Sequence, residues 1–244
     1  MMKALLKIEW IKTWREWPNF IMAIGMPVGF FLFYSGMRMS DTPEGQRAIV
    51  QSFMMTMTAF SMSSFGFFTF PFMMVEDQRE NWLTYIEHSS LPIWQYYLSK
   101  IARVLLNFTF SIVITFLVGA FFRDVTMPAE RWMGSVGLLL FGSLIFLAFG
   151  LLIAQIPSSQ TMSIVANISF LGLAIIGGSW MPIETFPEWA QNISKWTPMY
   201  HVNQLVVQFA ANGDFLWKSF FSILAYAIIV TGIALMIKNK TEVK

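Results

Sequence analysis

Few side chains in this sequence could do chemistry, and those few do not gather. The two histidines, His88 and His201, stand about a hundred residues apart, one before Ser89 and Ser90 and the other after Tyr200. An interfacial hydrogen-bonding role fits each better than a metal or haem site, which needs converging ligands. The absence of cysteine removes disulfides, thiolate metal sites and a cysteine nucleophile. HExxH, GxSxG and Walker A patterns do not occur. The densest charge cluster is Glu76, Asp77, Arg79 and Glu80, followed by the apolar residues Trp82, Leu83 and Ile86. Trp82 and Ile86 are four apart and Leu83 and Ile86 three, so the apolar trio shares one face of a short helix that Pro92 must end. Such a helix can insert its apolar face into a groove on a soluble partner, or tuck it against lipid.

The elements that must position these residues are membrane spans. Hydrophobic residues make up 56% of the chain and charged ones 12%, against about a quarter charged in soluble domains. So few charges cannot coat a water-facing surface. The apolar residues also fall in long blocks, and a helix needs roughly 20 of them to cross the hydrocarbon. The expected fold is therefore an all-α membrane protein with six transmembrane helices, at about 17–37, 49–75, 101–122, 133–156, 162–180 and 215–237, in one domain over 1–244. Pro18 and Pro27 start and bend the first. The first block follows a charged, Trp-rich stretch with no small-residue cleavage pattern, so it reads as a retained span. Ten of the sixteen Lys and Arg residues fall in the N-terminal segment, the loop after span two and the tail. That bias predicts a multi-pass protein of the cytoplasmic membrane with both termini inside the cell.

Two amphipathic segments accompany the spans. Leu6, Trp10, Trp14 and Trp17 recur at helical spacing beside Lys3, Lys7, Lys12 and Arg15, which suits a helix lying among lipid headgroups or simply the flank of span one. Before span six, Thr185 and Glu188 are spaced as a capping box. Phe186, Trp189, Ile193 and Trp196 follow on one face of an outer amphipathic or re-entrant segment that ends before Pro198. Its roles are a structural lid or an outer gate. The span centres lack ionisable side chains, which argues against ion-coupled transport and against an intramembrane hydrolase. Span two carries Met54, Met55, Met57, Met62, Met73 and Met74 among small hydroxyl residues. Met55, Thr58 and Met62 would suit a path for apolar or amphipathic cargo, or ordinary helix packing.

The stretch GGSWMPIETFPEWAQNISKWTPMY resembles the signature that precedes the last span of ABC-2-type transporter permeases, through Gly177, Gly178, Pro182, Pro187, Trp189, Pro198 and Tyr200. The loop after span two is similar to that family's coupling helix, with Glu76, Arg79, Glu80, Thr84, Pro92 and Lys100 as landmarks and Leu83 where a glycine is often found. The resemblance implies the membrane subunit of an ABC exporter of a drug, antibiotic, lipid or peptide. It implies no cofactor and no ATPase site in this chain, since ATP and Mg would be bound by a cytoplasmic ABC ATPase dimer. A second permease subunit, identical or paralogous, would complete the assembly in membrane lipid, and nucleic acid is not an expected partner. Glu76, Asp77, Arg79, Glu80, Trp82, Leu83 and Ile86 would contact the ATPase. Gly177 to Tyr200 would form the outer gate. A non-transporting sensor or immunity protein is the alternative.

Overall fold

The structure, a computed structural model, describes residues 2–89 and 91–242, with the side chains of Leu83, Glu87, Thr241 and Glu242 outside that description. Its helices are α1 (Met2–Arg15), α2 (Trp17–Ser35), α3 (Pro43–Ser64), α4 (Phe70–Arg79), α5 (Trp82–Glu87), α6 (Ile93–Phe122), α7 (Ala129–Ile153), α8 (Ser159–Ile176), α9 (Glu188–Ser194), α10 (Pro198–Asn212) and α11 (Trp217–Glu242). A π-helical turn over Phe65–Thr69 joins α3 to α4, so span two is one continuous 37-residue helix. Six helices are long and apolar enough to cross a membrane: α2, α3 with α4, α6, α7, α8 and α11. Span three begins at Ile93 rather than near 101, so Lys100 and Arg103 are helical residues and not loop charges. Span two is the buried axis of the bundle, while the windows of spans one, five and six are largely exposed.

Prolines and glycines shape that axis. Pro27 inside α2 supplies no N–H to the Ala23 carbonyl four residues back. The Ser61 hydroxyl of α3 donates to that carbonyl at 2.8 Å and accepts from Ser111 of α6 at 2.7 Å. Three spans are thereby tied by one backbone vacancy, because a freed carbonyl in hydrocarbon must find a partner. Pro71 likewise cannot serve the Phe67 carbonyl, and the chain widens into the π turn just before it, with Phe70 N–H donating to Phe65. Gly66 lies in this turn against α7. A Cβ at Gly66 would sit 2.6 Å from the Cβ of Phe146, so the helices approach at a distance only glycine permits.

Caps fix the ends. The hydroxyls of Thr42, Ser158 and Thr197 accept from the N–H groups of Gly45, Thr161 and Tyr200, opening α3, α8 and α10. At the other end of α10, Arg131 of α7 donates to the carbonyls of Ala211 at 2.5 Å and Asn212 at 3.3 Å, beside left-handed Gly213. The predicted capping box is not formed: Thr185 donates to Pro182 at 2.7 Å, Pro187 stands at the start of α9, and a 3₁₀ turn occupies Ile183–Thr185. The Thr185 N–H that the reciprocal arm would need donates instead to the Pro182 carbonyl at 3.1 Å, and the Thr185 hydroxyl is committed to the same carbonyl. Pro198 both ends the outer segment and opens α10, a helix the sequence pattern did not separate from its surroundings. α10 is buried against α3, α7 and α11.

Candidate functional site

At the end of the bundle where α1 begins and α11 ends, six charged side chains from α1, the junction of α1 and α2, α4 and α6 meet. Lys100 Nζ lies 2.7 Å from Glu9 and pairs closely with Asp77 as well. Lys12 reaches Asp77 at 3.1 Å, and Arg103 reaches Glu9 at 3.2 Å and Glu16 at 2.8 Å. The Tyr96 hydroxyl donates to Asp77 at 2.9 Å. Three acids face three bases, so the buried cluster is neutral, which is what makes burial tolerable. Burial by itself lowers the Lys12 ammonium, but the carboxylates of Asp77, Glu9 and Glu80 outweigh it and hold Lys12 above the ordinary lysine value. This cluster bolts α1 to the foot of span two and the foot of span three. The sequence reading missed it, although the signal was present: Lys100, Arg103, Asn107, Ser111 and Thr115 recur at three, four, four and four, and all are buried on one face of α6. α1 correspondingly buries Leu5 and Glu9, while the expected stripe of Leu6, Trp10, Trp14 and Trp17 faces outward.

The loop after span two holds the short helix α5, positioned by Asn81 in a left-handed conformation. The structure splits the residues expected to act together there. Asp77 is locked in the ionic cluster, and Ile86 packs into the core with 1% exposure, so neither faces outward. Ile86 is drawn inward because α5 lies against α4 and α6. Glu76, Arg79, Glu80 and Thr84 are exposed, and Trp82 stacks on the outward Tyr85 at 5.5 Å. The side chain of Leu83 lies outside the described residues.

A cleft of about 730 Å³ opens between α2, span two and α8. Its span-two wall is Phe60, Ser64, Phe68 and Phe72, one residue per helical turn, and Met22, Met26 and Phe170 complete the apolar lining. Glu16, Glu76, Arg79 and Ser159 stand at the termini-bearing mouth, where Arg79 donates to Ser159 at 2.5 Å. Met55, Thr58 and Met62, the expected path residues, are fully buried in the bundle and line no described cavity; Thr58 spends its hydroxyl on the Met54 carbonyl. Phe60, Ser64, Phe68 and Phe72 lie on the neighbouring face of span two, while Met55, Thr58 and Met62 fall on the side of α3 that packs within the bundle.

Above the cleft three rings close together. Phe60 stacks on Phe170 at 4.8 Å and meets Trp180 edge-on at 5.6 Å, with Phe30 against Trp180 at 5.7 Å. Beyond this plug lies a second pocket of about 320 Å³, lined by Ser52, Thr56, Gly177, Gly178, Pro182 and Asn203 among others. Gly178 has φ +74, a conformation that favours glycine. Gly177 packs against Met199, and its carbonyl accepts from Asn203 at 2.9 Å. Of the remaining expected gate residues, Phe186 is half-buried, Pro187 is exposed, Pro198 is buried and Tyr200 is half-buried. Trp189 and Ile193 are exposed on α9, and Trp196 is exposed just beyond its end. Trp180, Phe60 and Phe170 were not singled out in the sequence, since a lone aromatic in a span is indistinguishable from lipid contact. Among the described residues no three His, Asp or Glu side chains converge where a metal could sit.

The cleft is lined mainly by apolar side chains of α2, span two and α8. A Bacillus subtilis (strain 168) protein named as a transport permease, YvfS, is 29% identical over 241 residues, covering 99% of this chain and 95% of its own length. An Escherichia coli (strain K12) protein named as a multidrug ABC transporter permease, YbhR, is 28% identical over 144 residues, which is 56% of this chain and 38% of that protein. The family model described as ABC-2 family transporter protein matches residues 37–237, from the end of the first span through nearly all of the last. A six-span bundle matched by that model over most of its length leaves one assignment: the chain belongs to the ABC-2 transporter family.

Proposed function

We propose that this chain is the permease subunit of an ATP-driven exporter that moves hydrophobic or amphipathic compounds outward along span two. The supporting observation is the alignment of cleft, plug and outer pocket on one helix: residues 64–76 line the cleft, Phe60 the plug, and residues 48–56 the outer pocket. Span five follows the same order, from Ser159 through Phe170 to Gly177. The Met- and Phe-rich wall can adapt to varied apolar cargo, and the acidic mouth favours molecules without a large negative charge. Separation of the Phe60, Phe170 and Trp180 rings would open the route, and their contact would seal it.

Energy enters from a separate cytoplasmic ATPase dimer. Its contact surface on this chain is the exposed Glu76, Arg79, Glu80, Thr84 and Tyr85, with Asp77 and Ile86 as anchors that transmit the push to the bundle. The termini then lie in the cytoplasm, as the distribution of Lys and Arg favours. A second permease copy or paralogue closes the open side of the cleft along the exposed α2 and α8. The test is reconstitution with the ATPase in vesicles and ATP-driven movement of rhodamine 6G. Ser64→Trp, which fills the cleft, should abolish dye movement while leaving ATPase association intact. Unchanged transport in Ser64→Trp would reject the cleft, and dye binding without ATP-dependent movement in wild type would make the chain a non-transporting binder.

A further inference from the structure

The polar groups of the outer pocket are mostly acceptors. The Ser52 hydroxyl donates to the Ala48 carbonyl at 2.9 Å and the Thr56 hydroxyl to Phe53 at 3.4 Å, so each has only lone pairs left to offer. Asn203, 4% exposed, donates through Nδ2 to the Gly177 carbonyl at 2.9 Å and to Ser179 Oγ at 3.0 Å. A carbonyl only accepts, which fixes the amide with Nδ2 toward Gly177 and leaves Oδ1 buried with no partner. Glu184, exposed in the 3₁₀ turn, is the one charged side chain of the lining, and it makes no ion pair among the described residues. Among the lining side chains, free N–H donors remain only on the amides of Gln204 and Gln208.

We propose that the outer pocket binds the protonated amine of an amphipathic cargo, its N–H groups meeting Glu184 and the neighbouring acceptors and its apolar body lying against Ile49, Phe53 and Val207. This rests on the export reading and names the chemical class of what is exported. The chemistry of the lining decides the occupant. A carboxylate or phosphate would face the charge of Glu184 and a row of lone pairs, and a neutral hydrocarbon would leave those acceptors unmatched. An ammonium brings donors and positive charge together, and charge-assisted hydrogen bonds are the strong ones. The route inward suits the same ligand. The Phe60, Phe170 and Trp180 rings that close the cleft carry π faces, which attract cations. At the cleft mouth two carboxylates, Glu16 and Glu76, stand beside one guanidinium, Arg79.

The sequence has no cysteine, so a single introduced thiol reports on this pocket alone. Gln208→Cys, with Gln204→Cys as a second reporter, is placed in nanodiscs at pH 7, and its reaction with N-ethylmaleimide is timed. Three ligands that differ only at the tail of one apolar dansyl body are compared at equal free concentrations: dansylcadaverine (an ammonium), its N-acetyl derivative (neutral) and dansyl-aminohexanoate (a carboxylate). The ammonium should slow labelling at a concentration about tenfold lower than the neutral compound, and the carboxylate should not slow it. Glu184→Gln should raise the half-protecting concentration of the ammonium about threefold to fivefold, what an exposed carboxylate–cation contact carries, and leave the neutral compound unchanged. Glu184→Asp, which keeps the charge, should restore most of the protection. Equal protection by ammonium and neutral compound would overturn the proposal. So would a Glu184→Gln shift that moves both alike, because a merely structural role would do that. The labelling needs no ATP, so its outcome is separate from the movement of rhodamine 6G that tests export.

Discussion

Removing Lys100 tests whether the ionic cluster holds the foot of the bundle together. The Lys100 side chain has 0% exposure, and its carboxylate partners Glu9 and Asp77 have 5% and 1%. At 2.7 Å and an effective dielectric of about 20, the Glu9 attraction alone is ~6 kcal/mol before desolvation. Desolvation of the ammonium takes back several kcal/mol. Lys100→Met leaves Glu9, Asp77 and Glu16 facing only Lys12 and Arg103, an excess buried negative charge, and should cost about 3–5 kcal/mol. Asp77→Asn creates the opposite imbalance and should cost a similar amount. The double variant restores neutrality, with two acids facing two bases, so its loss should fall short of the sum by about 1–3 kcal/mol. Equilibrium unfolding in detergent titrated with sodium dodecyl sulfate, followed by tryptophan fluorescence, measures all three. Losses that add within about 0.5 kcal/mol would refute the reasoning, because the groups would then not share one charge balance.

Other outcomes follow from the same geometry. Gly66→Ala should destabilise by about 1–3 kcal/mol through overpacking against Phe146, whereas Gly232→Ala should be nearly neutral in the same titration. His201, beside Ser219 at 3.3 Å and facing Tyr200 and Tyr226, is held below the ordinary histidine value of 6.5 by burial and by Lys218. Below pH 6.5 the unfolded chain takes a proton that the folded chain refuses, so stability should fall as pH drops from that value toward the lowered one. Comparison of wild type with His201→Gln between pH 7 and 5 should show the slope removed in the variant; an unchanged slope would place the titrating group elsewhere.

The spans were legible because hydrocarbon imposes length and composition on each, and that demand is local to the chain. Charge was not legible in the same way. Lys100 and Arg103 read as loop residues because a sequence cannot show that Glu9 on α1 reaches both of them while Glu16, at the junction of α1 and α2, reaches Arg103. The helix of the loop after span two was readable from Trp82, Ile86 and Pro92, yet its buried face was not, since an apolar residue turned toward a partner and one turned toward its own bundle look alike. Pro198 announced a break, but the apolar stripe of α10, with Met199, Val202, Leu205, Val206 and Ala210 buried, is too short for a span and merges with the mixed polar and aromatic stretch around it. Which face of span two is buried was not legible either, since Met, Phe and small hydroxyl residues occur all round the helix, on the packed side of Met55, Thr58 and Met62 and on the cleft side of Phe60, Ser64 and Phe68 alike.

The π turn of span two sets how motion can travel. Span two is about 55 Å long at the usual rise per residue, longer than the hydrocarbon is thick, and its lower end is clamped by Asp77. A straight α-helix resists bending, so a displacement delivered at the foot is carried upward almost undiminished. The compliant stretch is the widened turn with its missing proline bond, placed where Gly66 rides on α7. Span two is therefore two stiff segments with a joint between them: the lower half can tilt while the upper half, braced through Ser61 to α2 and α6, keeps its place. The joint lies one turn below Phe60, so tilting there changes the shape of the cleft first and reaches the ring contacts only at larger amplitude.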